Sequence, residues 1–297
     1  MNRSKIKPFR KKFENLVASE LLNFVEEYDR VKNRSGLVII VSASTVSAKN
    51  IKETAFALLN QYKKFEPVSK LMTLEMKVAD VLSDTVQIEM KNDDLVNYVQ
   101  AVIRHHADII YLETPVTTLN FNQIIPLAID ALLIISIRSN NIDKDLMEFE
   151  RLVNTNNFVG PVTIVHQEQV KKVCKHCEKV PYNFLEIDAL EGAAKLLGWE
   201  LEHFSYPTGL RKNGDKCSKC NGNCYIGDIP VFDVFQLGTN RRCLFLQIRS
   251  LAKRFPDDDS LLGSLLKKSI QGYTTFSELI RLFPQLIEIH KTRASNG

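Results

Sequence analysis

The sequence predicts an α/β protein: a mainly parallel sheet, followed by a cysteine-rich module and a helical tail. Three observations carry that prediction. Short continuous apolar runs alternate with stretches of helical periodicity, the pattern of strands covered by helices on both faces. Five of the six cysteines fall between Cys174 and Cys224. From Asn240 the chain reads as helical again, with a turn around Phe255-Pro256-Asp257.

Residues 1–12 form a basic tail carrying Arg3, Lys5, Lys7, Arg10, Lys11 and Lys12 and no acid. Apolar residues then recur at Phe13, Leu16, Val17, Leu21, Phe24, Val25 and Tyr28, one face of a helix expected to pack on the main domain. Ser35-Gly36 breaks the pattern, and Leu37–Val41 reads as a buried strand. A polar turn, Ser42 to Ser47, leads into a helix from about Lys49 to Tyr62. Lys70–Leu74 and Val86–Met90 read as shorter strands. Asp93 or Asp94 can cap a helix running to about His106. Ala107–Leu112 is a strand that ends at Glu113, and Thr117 or Thr118 can cap a helix to Asp130, bent by Pro126. Ala131–Ile137 is a further strand and Asp143–Val153 a further helix. After Gly160-Pro161 the texture changes, and a last helix runs from Thr274 or Thr275 to Phe283.

The 297 residues suffice for about two domains and a sizeable core. With 44% hydrophobic and 25% charged residues, the balance is that of an ordinary globular chain. Twelve glycines and ten prolines argue against a collagenous or disordered chain. No apolar run reaches the roughly 18–20 residues of a membrane span, and no secretory signal pattern opens the sequence. The expected setting is the cytoplasm. A net charge of +4 is too mild for a dedicated nucleic-acid binder.

Cys174-Lys-His-Cys177 and Cys217-Ser-Lys-Cys220 are two C-x2-C knuckles with 39 residues between them. Two such knuckles supply the four thiolates that a tetrahedral Zn²⁺ prefers, and without an export signal zinc is favoured over disulfides. Lys172, Lys175, Lys179, Lys216 and Lys219 would offset the negative centre. Cys224 is a possible substitute ligand, whereas His176 lies inside a knuckle and is poorly placed. A closed four-sulfur site has no open position, so its role would be structural.

Strand, polar turn, then a helix opening on a lysine is the layout of a phosphate-binding P-loop. Aligned on Lys49, the motif G-x4-G-K-[ST] becomes Ala43-x4-Ala48-Lys49-Asn50, with both glycines lost and asparagine in the hydroxyl position. The glycines matter because the loop wraps main-chain N–H groups round phosphate through conformations that a Cβ disfavours. Asp108–Glu113 is the second candidate, an apolar strand that delivers a carboxylate to the edge of the sheet. In P-loop ATPases such an acid holds Mg²⁺ or positions water. His105 and His106 lack further ligands at metal spacing and read as surface residues.

Taken in order, these pieces resemble the type II secretion and type IV pilus assembly ATPase family. The most specific match is Gln167–Cys177 with Cys217-x2-Cys220-Asn-Gly-Asn-Cys224-Tyr225-Ile-Gly227, followed by Ile229–Val234 and a closing helix pair within Leu262–Leu282. Gly36–Val41 resembles the strand before the Walker A loop, and Ala107–Glu113 the Walker B segment. The likeness covers about residues 34–286. It implies a basic tail and amphipathic helix over 1–34 and a RecA-like P-loop core over 35–166. A zinc module over 167–236 and a helical region over 237–297 complete the expected organisation.

The departures fall where the chemistry belongs. Besides the altered Walker A loop, Leu112 replaces the glycine before the Walker B glutamate. The acidic box reads Glu75-Met-Lys-Val-Ala79, and the histidine box has Arg138 in place of its histidine. Gln100 stands where an arginine is usual, although Arg104 matches its companion. The roughly 35 residues before the core leave no room for the family's N-terminal nucleotide-clamping domain. One lost charge-stabilising donor commonly costs on the order of 10²–10³ in rate. The resemblance therefore implies a structural or regulatory pseudo-ATPase in a pilus or secretion machine. Its partners would be related ATPase subunits, in a ring, or inner-membrane platform proteins, at the inner face of the membrane. Two other readings stay open. In a weak but genuine ATPase, Lys49 would bind ATP phosphates, Asn50 would assist Mg²⁺ and Glu113 would position water. In a zinc-ribbon nucleic-acid binder, the lysines beside the knuckles would meet phosphate.

Overall fold

The computed structural model describes residues 7–8, 35–91, 94–113, 118–177, 179–181, 208–210, 217–237 and 261–283. The helical face read over Phe13–Tyr28 and the helical reading over 240–260 lie outside these residues. Thirteen principal elements follow in chain order: β1 Gly36–Ala43, α1 Ala48–Phe65, β2 Leu71–Glu75, β3 Thr85–Glu89, α2 Leu95–Arg104, β4 Ile109–Leu112, α3 Thr118–Ile124, β5 Leu132–Ser139, α4 Ile142–Thr155, β6 Val162–Val173, β7 Tyr225–Leu237, α5 Leu261–Ile270 and α6 Phe276–Leu282.

The seven strands form one sheet in the order β7-β6-β1-β5-β4-β2-β3. Every pairing from β6 across to β3 is parallel. Parallel neighbours need crossovers, which is why helices alternate with strands along the sequence. Two-residue periodicity sorts the side chains. On one face Leu37, Ile39, Val41, Leu133, Ile135, Ile110, Leu112, Met72 and Leu74 pack against residues of α2, α3 and α4, among them Val99, Ile124 and Phe149. On the other face, α1 lies over β1 and β5. Val38, Ile40 and Ile134 there are fully buried, each such side chain contributing about 1.5–3 kcal/mol.

Pro126 ends α3 sooner than its periodicity alone suggests. The α-helix stops at Ile124, and Ile125–Ile129 continues as a 3₁₀ turn with the proline at its start. There the missing N–H of proline costs nothing. Asp94 does sit at the N-cap of α2, but its carboxylate accepts from Asn97 Nδ2 instead of capping the backbone.

The chain divides into two compact units, Met1–Gln167 with Val234–Lys253 and Glu168–Asp233 with Arg254–Gly297. The division falls inside β6, a twelve-residue strand absent from the sequence-based expectation. In the second unit, the part of β6 beyond Gln167 meets the 273–281 segment. Val173 N–H donates to Tyr273 O (2.8 Å) and Lys171 N–H to Glu278 Oε2 (3.1 Å). Thr274 Oγ1 donates to Lys171 O (2.8 Å), and Arg281 to Gln169 O (2.8 Å). Thr275 is the N-cap residue of α6, yet its hydroxyl is bonded to Tyr225 (2.8 Å) and makes no cap.

Candidate functional site: a polar sheet edge and a four-cysteine centre

The turn after β1 spends part of its main-chain donors on the protein itself. Ser44 N–H donates to Ser139 O (2.7 Å) and Val46 N–H to Ala43 O (2.9 Å), so both amides are consumed by the protein. Val46 is only 4% exposed and turns its side chain inward. Ser47 caps α1, its Oγ accepting from Asn50 N–H at 3.2 Å. Residues 43–48 contain no positive φ. A turn in ordinary conformations is what alanines at 43 and 48 dictate, since φ above zero costs a Cβ-bearing residue roughly 1–2 kcal/mol. Lys49 projects into water, 76% exposed, 3.8 Å from Glu53. Asn50 directs its main-chain carbonyl to Thr54 Oγ1 (3.3 Å) and Gln167 Nε2 (3.5 Å).

The lysine that reaches the sheet edge is Lys52, one turn further into α1. Its Nζ lies 2.7 Å from Glu75 Oε2 and 2.8 Å from Glu113 Oε2, and donates to Lys77 O at 2.9 Å. The register explains the meeting. Glu75 ends β2, Glu113 follows β4, and Glu113 N–H donates to Leu74 O (2.8 Å), so both carboxylates leave the sheet side by side. Glu75 is fully buried. Its other oxygen, Oε1, accepts from the Thr73 hydroxyl and from Gln87 Nε2 (2.9 Å). The Lys52 ammonium lies over the Phe56 ring, 5.5 Å from its centre, and that ring meets Tyr111 edge-on at 5.9 Å. Tyr111, fully buried, shares a hydroxyl contact of 3.2 Å with Ser136.

The charges are mutually dependent. Burial alone would lower the Lys52 pKa, but its bonds to Glu113 and Glu75 outweigh that and raise it above the ordinary lysine value. Burial raises Glu113 despite the opposing pull of Lys52. Burial likewise pushes the Tyr111 phenol far up, so it stays neutral. One cation thus faces two carboxylates on a largely buried sheet edge, a cluster held by pairing.

The second site is the cysteine centre. The thiols of Cys174, Cys177, Cys217 and Cys220 all lie within 4.8 Å of one another, and all four residues are buried. Cys174 Sγ is 3.9 Å from Cys217 Sγ, and Cys177 Sγ is 3.4 Å from Cys220 Sγ. Four sulfurs about 2.3 Å from one metal ion form a tetrahedron with edges of about 3.8 Å. The donor set fits a tetrahedral metal ion. Cys177 N–H donates to Cys174 O (3.2 Å) across the first knuckle, and Gly222 N–H donates to Cys217 O (3.3 Å) around the second. Without a metal the thiols differ: the backbone N–H groups of Cys220 and Lys219 pull Cys217 down to about 7, whereas burial pushes Cys174 and Cys177 up. Cys224 is buried in the same cluster, at φ +60°, and its carbonyl accepts from Cys174 N–H (2.8 Å). Cys224 thus stands outside the four-thiol group while bracing it.

No protein-family model matches the sequence, and no curated protein matches it. Solved structures do. The pilus retraction motor PilT, determined with ADP bound, superposes with a TM-score of 0.51 at 12% identity over 83% of this chain and 61% of that one. The Legionella pneumophila ATPase DotB gives 0.51 at 9% identity over 86% of this chain and 63% of that one. The fold is that of PilT and DotB. At these identities the likeness establishes architecture, and the chain spans less than two thirds of the length of either neighbour. No described helix is long and apolar enough to cross a membrane.

Lys52 was the residue invisible to motif reading. A signal for it existed: it lies four residues before Phe56 in a segment, Ile51–Tyr62, that is buried almost throughout. A lysine at a core-facing position announces a buried partner.

Proposed function

We propose that the protein is a non-hydrolysing subunit of a type II secretion or type IV pilus assembly machine. It keeps the motor architecture as a scaffold and carries a structural Zn²⁺ on Cys174, Cys177, Cys217 and Cys220. Its partners are related ATPase subunits or inner-membrane platform proteins, and the cysteine module is its docking element.

The observation that supports this reading is the turn after β1. A phosphate loop works by leaving main-chain N–H groups convergent and unspent. Here the Ser44 and Val46 amides bond within the protein, the Asn50 amide is taken by Ser47, and Lys49 pairs with Glu53 in solvent. The fold supports membership in a motor-like assembly, because PilT is described as a pilus retraction motor and DotB as an ATPase.

Calorimetric titration of the full chain with Mg-ATP tests the reading. The expected result is no saturable binding below about 1 mM, equivalent to less than about 4 kcal/mol of affinity. Micromolar, Mg²⁺-dependent binding abolished by Lys49→Ala would overturn it in favour of a working ATPase.

A further inference from the structure

Lys52 Nζ donates to Glu113 Oε2 and to the Lys77 carbonyl, at 2.8 and 2.9 Å, and lies in ion-pair contact with Glu75 Oε2 at 2.7 Å, an oxygen that makes no hydrogen bond of its own. Two carboxylates and a main-chain carbonyl are the all-oxygen donors from which a hard divalent cation builds its shell. Ca²⁺ holds such oxygens at about 2.3–2.6 Å, so these would close on an ion by only a few tenths of an ångström. The arrangement is also preorganised. Thr73 and Gln87 hold Glu75 by Oε1, leaving Oε2 aimed at the cation. The Lys52 ammonium lies over the Phe56 ring, and its side chain is only 9% exposed.

We propose that Lys52 is a built-in cation, its ammonium filling an oxygen-lined divalent-cation position at the end of the sheet, and that its removal opens this position to a metal ion. Hydration, not charge balance, favours the ammonium as resident. A single ammonium leaves the two carboxylates one negative charge short of neutrality, but it is tethered in place beside both of them, whereas Mg²⁺ gives up its waters reluctantly. Any magnesium arriving with a nucleotide finds these two carboxylates engaged. The inference deepens the reading of a non-hydrolysing core and does not depend on the identity of the machine.

Mn²⁺ binding by the full-length, zinc-loaded protein, followed by electron paramagnetic resonance without nucleotide, provides the test. Wild type and Glu113→Gln are expected to bind Mn²⁺ identically and weakly. Lys52→Ala is expected to gain one site per chain, at least about tenfold tighter than anything in the wild type. That site is lost on adding Glu113→Gln and is displaced by Ca²⁺, and Mn²⁺ raises the melting temperature of Lys52→Ala alone. A Mn²⁺ site in the wild type that disappears with Glu113→Gln overturns the proposal, and this comparison holds even if Lys52→Ala proves unstable. Folded Lys52→Ala without the new site also overturns it. Because no nucleotide enters, ATP binding in the earlier titration would leave this result standing, and failure here would leave the absence of ATP binding untouched.

Discussion

Lys52→Met is expected to destabilise the protein by about 3–5 kcal/mol at neutral pH, the cost of stranding buried carboxylates whose cation has gone. Methionine keeps an unbranched apolar chain in place of the lysine methylenes, so the loss reports charge and hydrogen bonding more than packing. The deficit is expected to shrink in acid. Burial raises the folded-state pKa of Glu113 even beside Lys52, and losing that cation's opposing pull raises it further, so the folded variant takes up its proton at a higher pH than the folded wild type does. Stability relative to wild type therefore recovers as pH falls through that raised value. Wild type behaves differently at the alkaline end. The Lys52 pKa is raised in the folded state, so its contribution is complete below the ordinary lysine range and is lost only as pH climbs through the raised value. Urea unfolding of both proteins from pH 5 to pH 8 measures the difference. A gap under about 1 kcal/mol at pH 7, or one that widens in acid, would show that the triad does not hold the sheet edge as described.

The second large effect is expected on metal removal. The purified protein should carry one equivalent of zinc, and Cys174→Ser or Cys220→Ser should release it. Binding free energy at a structural site is folding free energy, because the unfolded chain offers no preformed tetrahedron. Withdrawal of a ligand present at about a thousand times its dissociation constant removes about 4 kcal/mol. For a domain of this size that lowers the melting temperature by about 8–16 °C. Elemental analysis with calorimetry in EDTA gives the answer. Less than half an equivalent of metal, or an unchanged melting temperature after its removal, would reduce the four thiols to a buried cluster. Cys224→Ser, by contrast, is expected to retain the metal, since Cys224 braces the site through its carbonyl.

The central strands were legible because both of their faces are buried, so Leu37–Val41, Ile109–Leu112 and Leu132–Ile135 are continuous apolar runs. β6 escaped for the same reason in reverse. His166, Gln167, Glu168, Gln169, Lys171 and Lys172 interrupt it, and beyond Gln167 its backbone bonds to the 273–281 segment. The cysteine spacing disclosed which four thiols come together, because two-residue knuckles constrain sulfur positions locally. The polar sheet edge was only half legible. Glu113 stood out as an acid ending a strand and Glu75 only through the resemblance of 75–79 to an acidic box, and their partner depends on the rotation of α1 over the sheet. No local spacing encodes that rotation. Thr275 shows the converse error, a capping residue by type whose hydroxyl a tyrosine 50 positions away claims first.

The tie between β6 and the 273–281 segment has a consequence for handling the protein. Gln169 O, Lys171 N, Lys171 O and Val173 N are the outward row of one strand margin, and all four are satisfied by that later stretch of chain. A truncation ending at Gly272 would leave this row bare, a ready template for a foreign strand. Such a fragment should self-associate into β-rich aggregates even with its zinc ligands intact, because the closing segment serves as a hem that keeps the sheet from growing.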